Sequence, residues 1–186
     1  MHFSTFTTAS LPSLLLAGTA SAAVNIRFYF DSTSCASGNY GQCTAAPSGS
    51  CCSPPASSVP ASGWQSLGFV DIPTGAAIEA RAYTGEGCRN SGYLTQRSTA
   101  GQTQICFPPV RQFESAQYRT VSGSARRDDG ADGEEAGVER CAKPDVLGFA
   151  DGSHVSLQGL IEEDMAVFVA GGNSADVVAQ LEAVRS

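Results

Sequence analysis

Residues 78–107, IEARAYTGEGCRNSGYLTQRSTAGQTQICF, decide how the rest of the chain is read, because an earlier stretch answers them. From Ile26 the chain runs IRFYFDSTSCASGNYGQCTAAPSGSCC. Phe30 matches Tyr83, Cys35 matches Cys88 and Tyr40 matches Tyr93, each at a separation of 53. Each stretch is followed by an aromatic-x-Ser-x-x-aromatic segment, from Trp64 through Ser66 to Phe69 in the first and from Phe113 through Ser115 to Tyr118 in the second. A shared order of aromatic, Cys, Tyr, Cys and aromatic-x-Ser marks a duplicated unit.

Outward from that unit the chain reads as short strands separated by turns. Residues 26–30 are β-favouring and stop at the turn-rich Asp31-Ser32-Thr33-Ser34. Residues 44–63 are crowded with Ser, Pro, Ala and Gly around the vicinal Cys51-Cys52, a loop that only its cysteines hold. Residues 67–72 alternate as a strand, residues 77–83 alternate imperfectly, and residues 104–107 form a short strand stopped by Pro108-Pro109. Residues 110–121 supply the last strand of the pair. Many short strands with frequent turn signals predict a mainly β, antiparallel sandwich or Greek-key domain.

Residues 123–139, GSARRDDGADGEEAGVE, break the pattern, with many acids and little apolar surface to offset ordering entropy. Residues 146–157 read as a hairpin turning at Asp151-Gly152 in a type I′ turn. Residues 162–170 suit either a helix or a strand, with Glu162-Glu163-Asp164 favouring a helix N-terminus. A final helix capped by Asn173 or Ser174 carries Val177, Val178, Leu181 and Val184 on one face, docked against the β-domain rather than left for a partner. The division expected is therefore 1–22 leader, 23–122 duplicated β-domain, 123–140 disordered acidic linker, and 141–186 hairpin-plus-helix appendage.

Residues 1–22 read as a secretory signal peptide, with a short apolar run at 11–18 and an A-x-A cleavage site at Ala20-Ser21-Ala22. No run reaches the roughly 20 apolar residues of a membrane span. All seven cysteines fall after the leader, which in an oxidising compartment predicts three bridges and one odd thiol. If each repeat closes on itself, Cys88 pairs with Cys106 and Cys35 with its counterpart Cys52. Cys43 then pairs with Cys51, the vicinal 51 and 52 being interchangeable. Loops of 18 and 17 residues each stabilise by about 3 kcal/mol on the chain-entropy picture. Cys141 is the odd thiol, or alternatively the partner of Cys43 or Cys51. A zinc site is the rival use of the cysteines, but no paired C-x-x-C exists and His154 is the only histidine after the leader.

Residues 24–124 carry six Arg against five acids, net +1, and residues 125–186 carry five bases against thirteen acids, net −8, together −7. An acidic chain without a basic stripe disfavours nucleic acid and anionic lipid. The motifs of catalysis are thin. His154 is the only base for a Ser or Cys nucleophile, and it sits beside a turn. No nucleophile elbow, HExxH helix or phosphate loop is present. Asp128-Asp129-Gly130-Ala131-Asp132-Gly133 does not fit the calcium-loop template. No catalytic residue, metal or cofactor is therefore expected. The tyrosines offer a sugar- or partner-stacking face, for which Tyr40 and Tyr93 in Gly-rich turns are the candidates. Phe30, Trp64, Tyr83, Phe113 and Tyr118 recur at matching positions and are assigned to the core. Arg126-Arg127 is a dibasic pair suited to a processing protease.

The repeat, with Phe30 or Tyr83 before a turn, then Cys, Tyr and aromatic-x-Ser, resembles the duplicated Greek-key unit of βγ-crystallin-like domains. The C-x7-C-x7-CC layout resembles small secreted cysteine-rich proteins of filamentous fungi. The resemblance covers residues 24–121. It implies a secreted effector-like or binding module, with an extracellular protein or glycan as partner. The calcium-binding signature of that family is absent. A structural cell-wall or matrix protein is the alternative, followed by a carbohydrate-active enzyme.

Overall fold

Period-two alternation settles which way each strand faces. In β1 (Val24–Tyr29), Val24, Ile26 and Phe28 are fully buried, while Asn25 and Arg27 between them are not. In β4 (Ile78–Tyr83) the roles are the same: Ile78, Ala80 and Ala82 enter the core, and Glu79, Arg81 and Tyr83 take the other face. The computed structural model describes residues 23–58, 63–89, 92–121 and 141–159, with Ala179 and Ala183. Around β1 and β4 stand β2 (Tyr40–Ala46), β3 (Ser66–Val70), β5 (Tyr93–Arg97), β6 (Ile105–Phe107) and β7 (Ser115–Thr120). A final hairpin adds β8 (Val146–Gly148) and β9 (His154–Ser156). Among the described residues the protein is mainly β, with two antiparallel sheets and almost no helix. One sheet runs β6-β3-β1-β2-β8-β9 and the other β5-β4-β7.

One apolar core joins the two sheets. Ile26, Phe28, Leu67, Phe69, Ile105 and Phe107 from the first meet Ile78, Ala80, Ala82, Ala116 and Tyr118 from the second, with Trp64 and Phe113 among them. Each large side chain buried in this way contributes about 1.5–3 kcal/mol. Trp64 and Phe113 belong to the core as the repeat predicts, and so does Tyr118, whose hydroxyl donates to the Ala46 carbonyl at 2.9 Å.

The two central strands carry the same local construction. Tyr29 pairs with Tyr40 across β1 and β2, and Tyr83 with Tyr93 across β4 and β5, each with ring centroids 5.4 Å apart. Arg27 lies over the Tyr40 ring at 4.3 Å, and Arg81 over the Tyr93 ring at 5.5 Å. The buried Ser66 hydroxyl donates to the Ser32 carbonyl, and the buried Ser115 hydroxyl donates to the Gly85 carbonyl. Gln65 N donates to the Tyr29 carbonyl at 2.8 Å and Glu114 N to the Tyr83 carbonyl at 2.9 Å. Cys35 and Cys88 take left-handed φ of +54° and +55° in the folded loops between, a conformation that costs an L-residue about 1–2 kcal/mol. The seryl bonds and the disulfides hold each loop in that shape.

Tyr29, not Phe30, stands where Tyr83 stands. The loop from Tyr29 to Tyr40 spans eleven residues (40−29) and that from Tyr83 to Tyr93 ten (93−83), so the first corner holds one extra residue. Phe30 opens that longer corner, and it packs on Trp64 with ring centroids 4.9 Å apart.

The disulfides differ from the expected pairing. Cys35 joins Cys106, Cys43 joins Cys52 and Cys51 joins Cys88, leaving Cys141 free. Neither Cys88–Cys106 nor Cys35–Cys52 forms, and Cys43 takes the other member of the vicinal pair. The cause is an exchange of strands. β6, from the second half, hydrogen-bonds to β3 in the first sheet, placing Cys106 opposite Gly68 and against the Cys35 corner. Cys52, from the first half, exchanges N–H···O bonds with Ala116 of the second sheet at 2.8 and 2.9 Å. Closing loops of 71, 9 and 37 residues stabilises by about 4, 3 and 4 kcal/mol taken singly.

The predicted hairpin is present. It is not an appendage held by packing alone, since β8 pairs with β2 from Tyr40↔Gly148 to Gln42↔Val146. Its turn is not type I′, because Gly152 takes φ +84° while Asp151 stays at negative φ. Gly152 N donates to the Phe149 carbonyl and Phe149 N to the Ser153 carbonyl, the pattern of a three-residue loop ending in a glycine bulge. Gly148 must be glycine, because the Tyr40 ring occupies the place of its side chain. The leader, the linker and the 162–170 segment lie outside the described residues. So do Val177, Val178, Leu181 and Val184; of the final helix, Ala179 and Ala183 are described, both helical and exposed.

Candidate binding face

On the outer side of the three-stranded sheet the residues stand in three ranks across β5, β4 and β7. Arg97, Glu79 and Arg119 share the first, Thr95, Arg81 and Gln117 the second, and Tyr93, Tyr83 and Ser115 the third. Antiparallel register thus brings three arginines from three strands around one carboxylate. Glu79 Oε1 accepts from Arg81 Nη2 at 2.9 Å and from Arg119 Nε at 2.9 Å, and Oε2 accepts from Arg97 Nε and Nη2 at 3.0 Å. The Glu79 side chain is 8% exposed, whereas Arg97 and Arg119 are 64% and 55% exposed.

Burial pushes the Glu79 carboxyl toward its neutral form. The hydrogen bonds from Arg81, Arg119 and Arg97 overcome that and hold its pKa down to about 2. Burial likewise works against the Arg81 charge, but its bonds to Glu79 and Tyr83 raise its pKa above the usual guanidinium range. Glu79 therefore stays ionised through the physiological range and is no proton donor. With three guanidinium groups and one carboxylate the cluster carries a net +2. An arginine has five N–H donors, and the Arg119 ion pair with Glu79 runs through Nε at 2.9 Å. Its side chain is more than half exposed.

Among the described residues the first sheet has no such cluster on the matching face. Asn25 stands two residues before Arg27, as Glu79 stands before Arg81. Asn25 Nδ2 donates to Asp71 and its Oδ1 accepts from Ala45 N. Arg27 Nε donates to Gln42 Oε1 at 2.7 Å.

Tyr40 and Tyr93 are not brought together. Tyr40 is half-buried in the middle of the larger sheet, between Arg27 and Gly148. Tyr93 lies on the edge strand of the smaller sheet, 48% exposed, at one end of the arginine face. Glu79, Arg81, Arg97 and Arg119 were not among the candidates drawn from the sequence. The signal available was Glu-x-Arg in a strand, placing two opposite charges on one face, with further arginines closing the partner strands.

Cys141 is half-buried beside a cavity of about 310 Å3 lined by Ser53, Pro54, Pro55, Glu86, Gly87 and Lys143, among others. Burial pushes its thiol pKa up, against a smaller pull from Arg89, so the thiolate is scarce at neutral pH. His154 is exposed on β9. Arg126 and Arg127 lie outside the described residues.

Residues 25–145 match the family model ARB_05566_N, described as an N-terminal domain. The chain belongs to the ARB_05566_N family. The matched span takes in β2 to β7 and nearly all of β1, and so holds both corners and the whole arginine face. No curated protein and no solved structure matches the chain. Among the described residues no helix is long and apolar enough to cross a membrane.

Proposed function

We propose that the protein is a secreted, non-catalytic binding module of the effector-like kind, and that its binding surface is the arginine face of the three-stranded sheet. The framework, in this reading, is a duplicated βγ-crystallin-like Greek key. What supports the framework is the matched order β3-β1-β2 and β7-β4-β5, the paired tyrosine corners with their seryl bonds, and the exchange of a late segment between sheets. Three disulfides accord with an oxidising, extracellular setting. The terminal helix completes the reading as a small attachment to the sheet that β8 and β9 extend.

The observation that carries the function is the Glu79 cluster. Scaffold residues recur in both halves, and this cluster does not. Three guanidinium groups held on one face, two of them more than half exposed, form a preorganised anion-recognition surface. The ligand meets donors already oriented, which removes part of the ordering cost of binding.

The test is retention of the intact, oxidised chain on a panel of immobilised neutral and anionic polysaccharides and polypeptides. Retention on an anionic member, lost in Arg97→Glu/Arg119→Glu and without release of reducing ends, is expected. No retention on any member would overturn the binding reading, and release of sugars would overturn its non-catalytic part.

A further inference from the structure

We infer that the arginine face binds a carboxylate-bearing polysaccharide, with Arg97 and Arg119 taking carboxylates at its two sides and Tyr93 stacking on a sugar ring. The inference rests on the binding reading above and names the ligand class for that same face.

Three observations lead to it. The first is the distribution of charge along the Arg97–Glu79–Arg119 rank. Neighbouring strands stand about 4.8 Å apart, and the middle position is a carboxylate whose oxygens are already taken by three arginines. Positive charge is therefore concentrated on either side of a neutralised centre. That suits a polymer carrying separated carboxylates better than a continuous run of phosphates. The chain's overall charge of −7 also disfavours a densely charged ligand except at this local spot.

The second is the exposed tyrosine. Tyr93 is 48% exposed, and it belongs to the same face because it pairs with Tyr83, two residues along β4 from Arg81. Its ring offers an apolar surface next to cationic groups. A sugar ring with a carboxylate presents the complementary pair, one C–H face and one charge. An acidic peptide has charges but no repeating rigid ring to set against Tyr93.

The third is access. The matching tyrosine of the first sheet, Tyr40, is half-buried and lies over Gly148 of β8, whereas β5 is an edge strand with no neighbour beyond it among the described residues. Of two tyrosines built the same way, only the one beside the arginine cluster is open.

Glu79 is a positioning residue here. It touches no ligand; it fixes the planes of three guanidinium groups. Replacing it with a neutral residue raises the charge of the face from +2 to +3. Simple attraction then predicts tighter binding, whereas loss of positioning predicts weaker binding. The sign of the change separates the two.

The experiment uses the full secreted chain with its bridges intact and three soluble probes: polygalacturonate, the same polymer with its carboxylates methyl-esterified, and poly-glutamate of similar charge. Binding to polygalacturonate is expected to be at least about tenfold tighter than to either comparison polymer, and to weaken strongly between about 0.05 and 0.5 M salt as exposed charges are screened. Arg97→Ala and Arg119→Ala should each weaken it about tenfold, the loss of one charge-assisted hydrogen-bond set. Tyr93→Ala should weaken it several-fold. Arg89→Ala, an equal loss of charge beside Cys141, should leave it unchanged. Glu79→Gln should weaken it despite the added positive charge, in protein whose melt shows it folded. Both arginine variants change exposed side chains, so a failure to fold does not stand in the way. Equal binding to poly-glutamate would overturn the polysaccharide assignment while leaving the anion-binding face intact. Equal binding to the esterified polymer would overturn the carboxylate assignment. No binding to any probe, together with no retention on the wider panel, would overturn the binding reading itself.

Discussion

The two sheets present the same corner and different faces. In both, an arginine lies over a tyrosine, that tyrosine stacks on the tyrosine of the central strand, and a buried serine pins the folded loop. A feature present twice is explained by what both halves need, which is a stable corner. Among the described residues the Glu79 cluster is present once, on a sheet whose Arg97 and Arg119 are more than half exposed, and the corner does not require it. Asn25 at the matching place serves its own sheet well with two ordinary hydrogen bonds. The comparison thus separates scaffold from site without reference to any other protein. By the same rule Tyr40 is scaffold, while Tyr93 is scaffold with one side left accessible.

The comparison predicts paired effects. The largest concern the disulfides. Replacing Cys35 and Cys106 with serine should cost about 4 kcal/mol and replacing Cys43 and Cys52 about 3 kcal/mol, read from denaturant midpoints. Peptide mapping under non-reducing conditions should link Cys35 to Cys106 and Cys51 to Cys88. A bridge between Cys88 and Cys106 would mean that each half closes on itself and that no strand is exchanged. Next come the corner serines. Ser66→Ala should cost about 2 kcal/mol, and Ser115→Ala about 3 kcal/mol, because Ser115 Oγ also accepts from Cys88 N at 2.8 Å. A negligible effect of either would break the equivalence of the corners.

Glu79→Gln should cost about 2–3 kcal/mol at neutral pH, and Asn25→Ala, which removes only exposed hydrogen bonds, about 1 kcal/mol. The Glu79 pKa is lowered from 4.5 to about 2 in the folded chain. The stability it supplies is therefore fully present above about pH 4.5 and is lost as pH falls toward 2. A thermal melt series over that window should slope for the natural chain more steeply than for Glu79→Gln. Equal slopes would mean that the arginines do not hold the carboxylate. The smallest effect separates the two tyrosines. Tyr40→Ala should cost about 2 kcal/mol, since it uncovers Gly148 and Arg27, and Tyr93→Ala under about 1 kcal/mol, as for other half-exposed residues.

What could be read from the residues is local. The repeat, the short antiparallel strands and the 146–157 hairpin follow from alternation and turn residues that lie close together in the chain. The core assignment of Trp64, Phe113 and Tyr118 follows from their recurrence. What escaped is non-local. Phe30 and Tyr29 are adjacent aromatics, and only strand register shows which of them answers Tyr83. A repeat in sequence suggests two self-contained halves and hence bridges within each, whereas β6 belongs to the other sheet and carries Cys106 to Cys35. Glu79 read as an irregularity in the alternation of residues 77–83. It becomes the centre of a site only when β5 and β7 bring Arg97 and Arg119 from 18 and 40 positions away (97−79 and 119−79).

The central claim is that the face found once, not the corner found twice, meets the ligand. Amide and arginine side-chain NMR shifts of the intact chain, followed as polygalacturonate is added, test it most directly. Shifts confined to Arg81, Arg97, Arg119 and Tyr93, with Arg27 and Tyr40 unmoved, are predicted; equal shifts on both sheets, or shifts at Arg27 and Tyr40 alone, would contradict it.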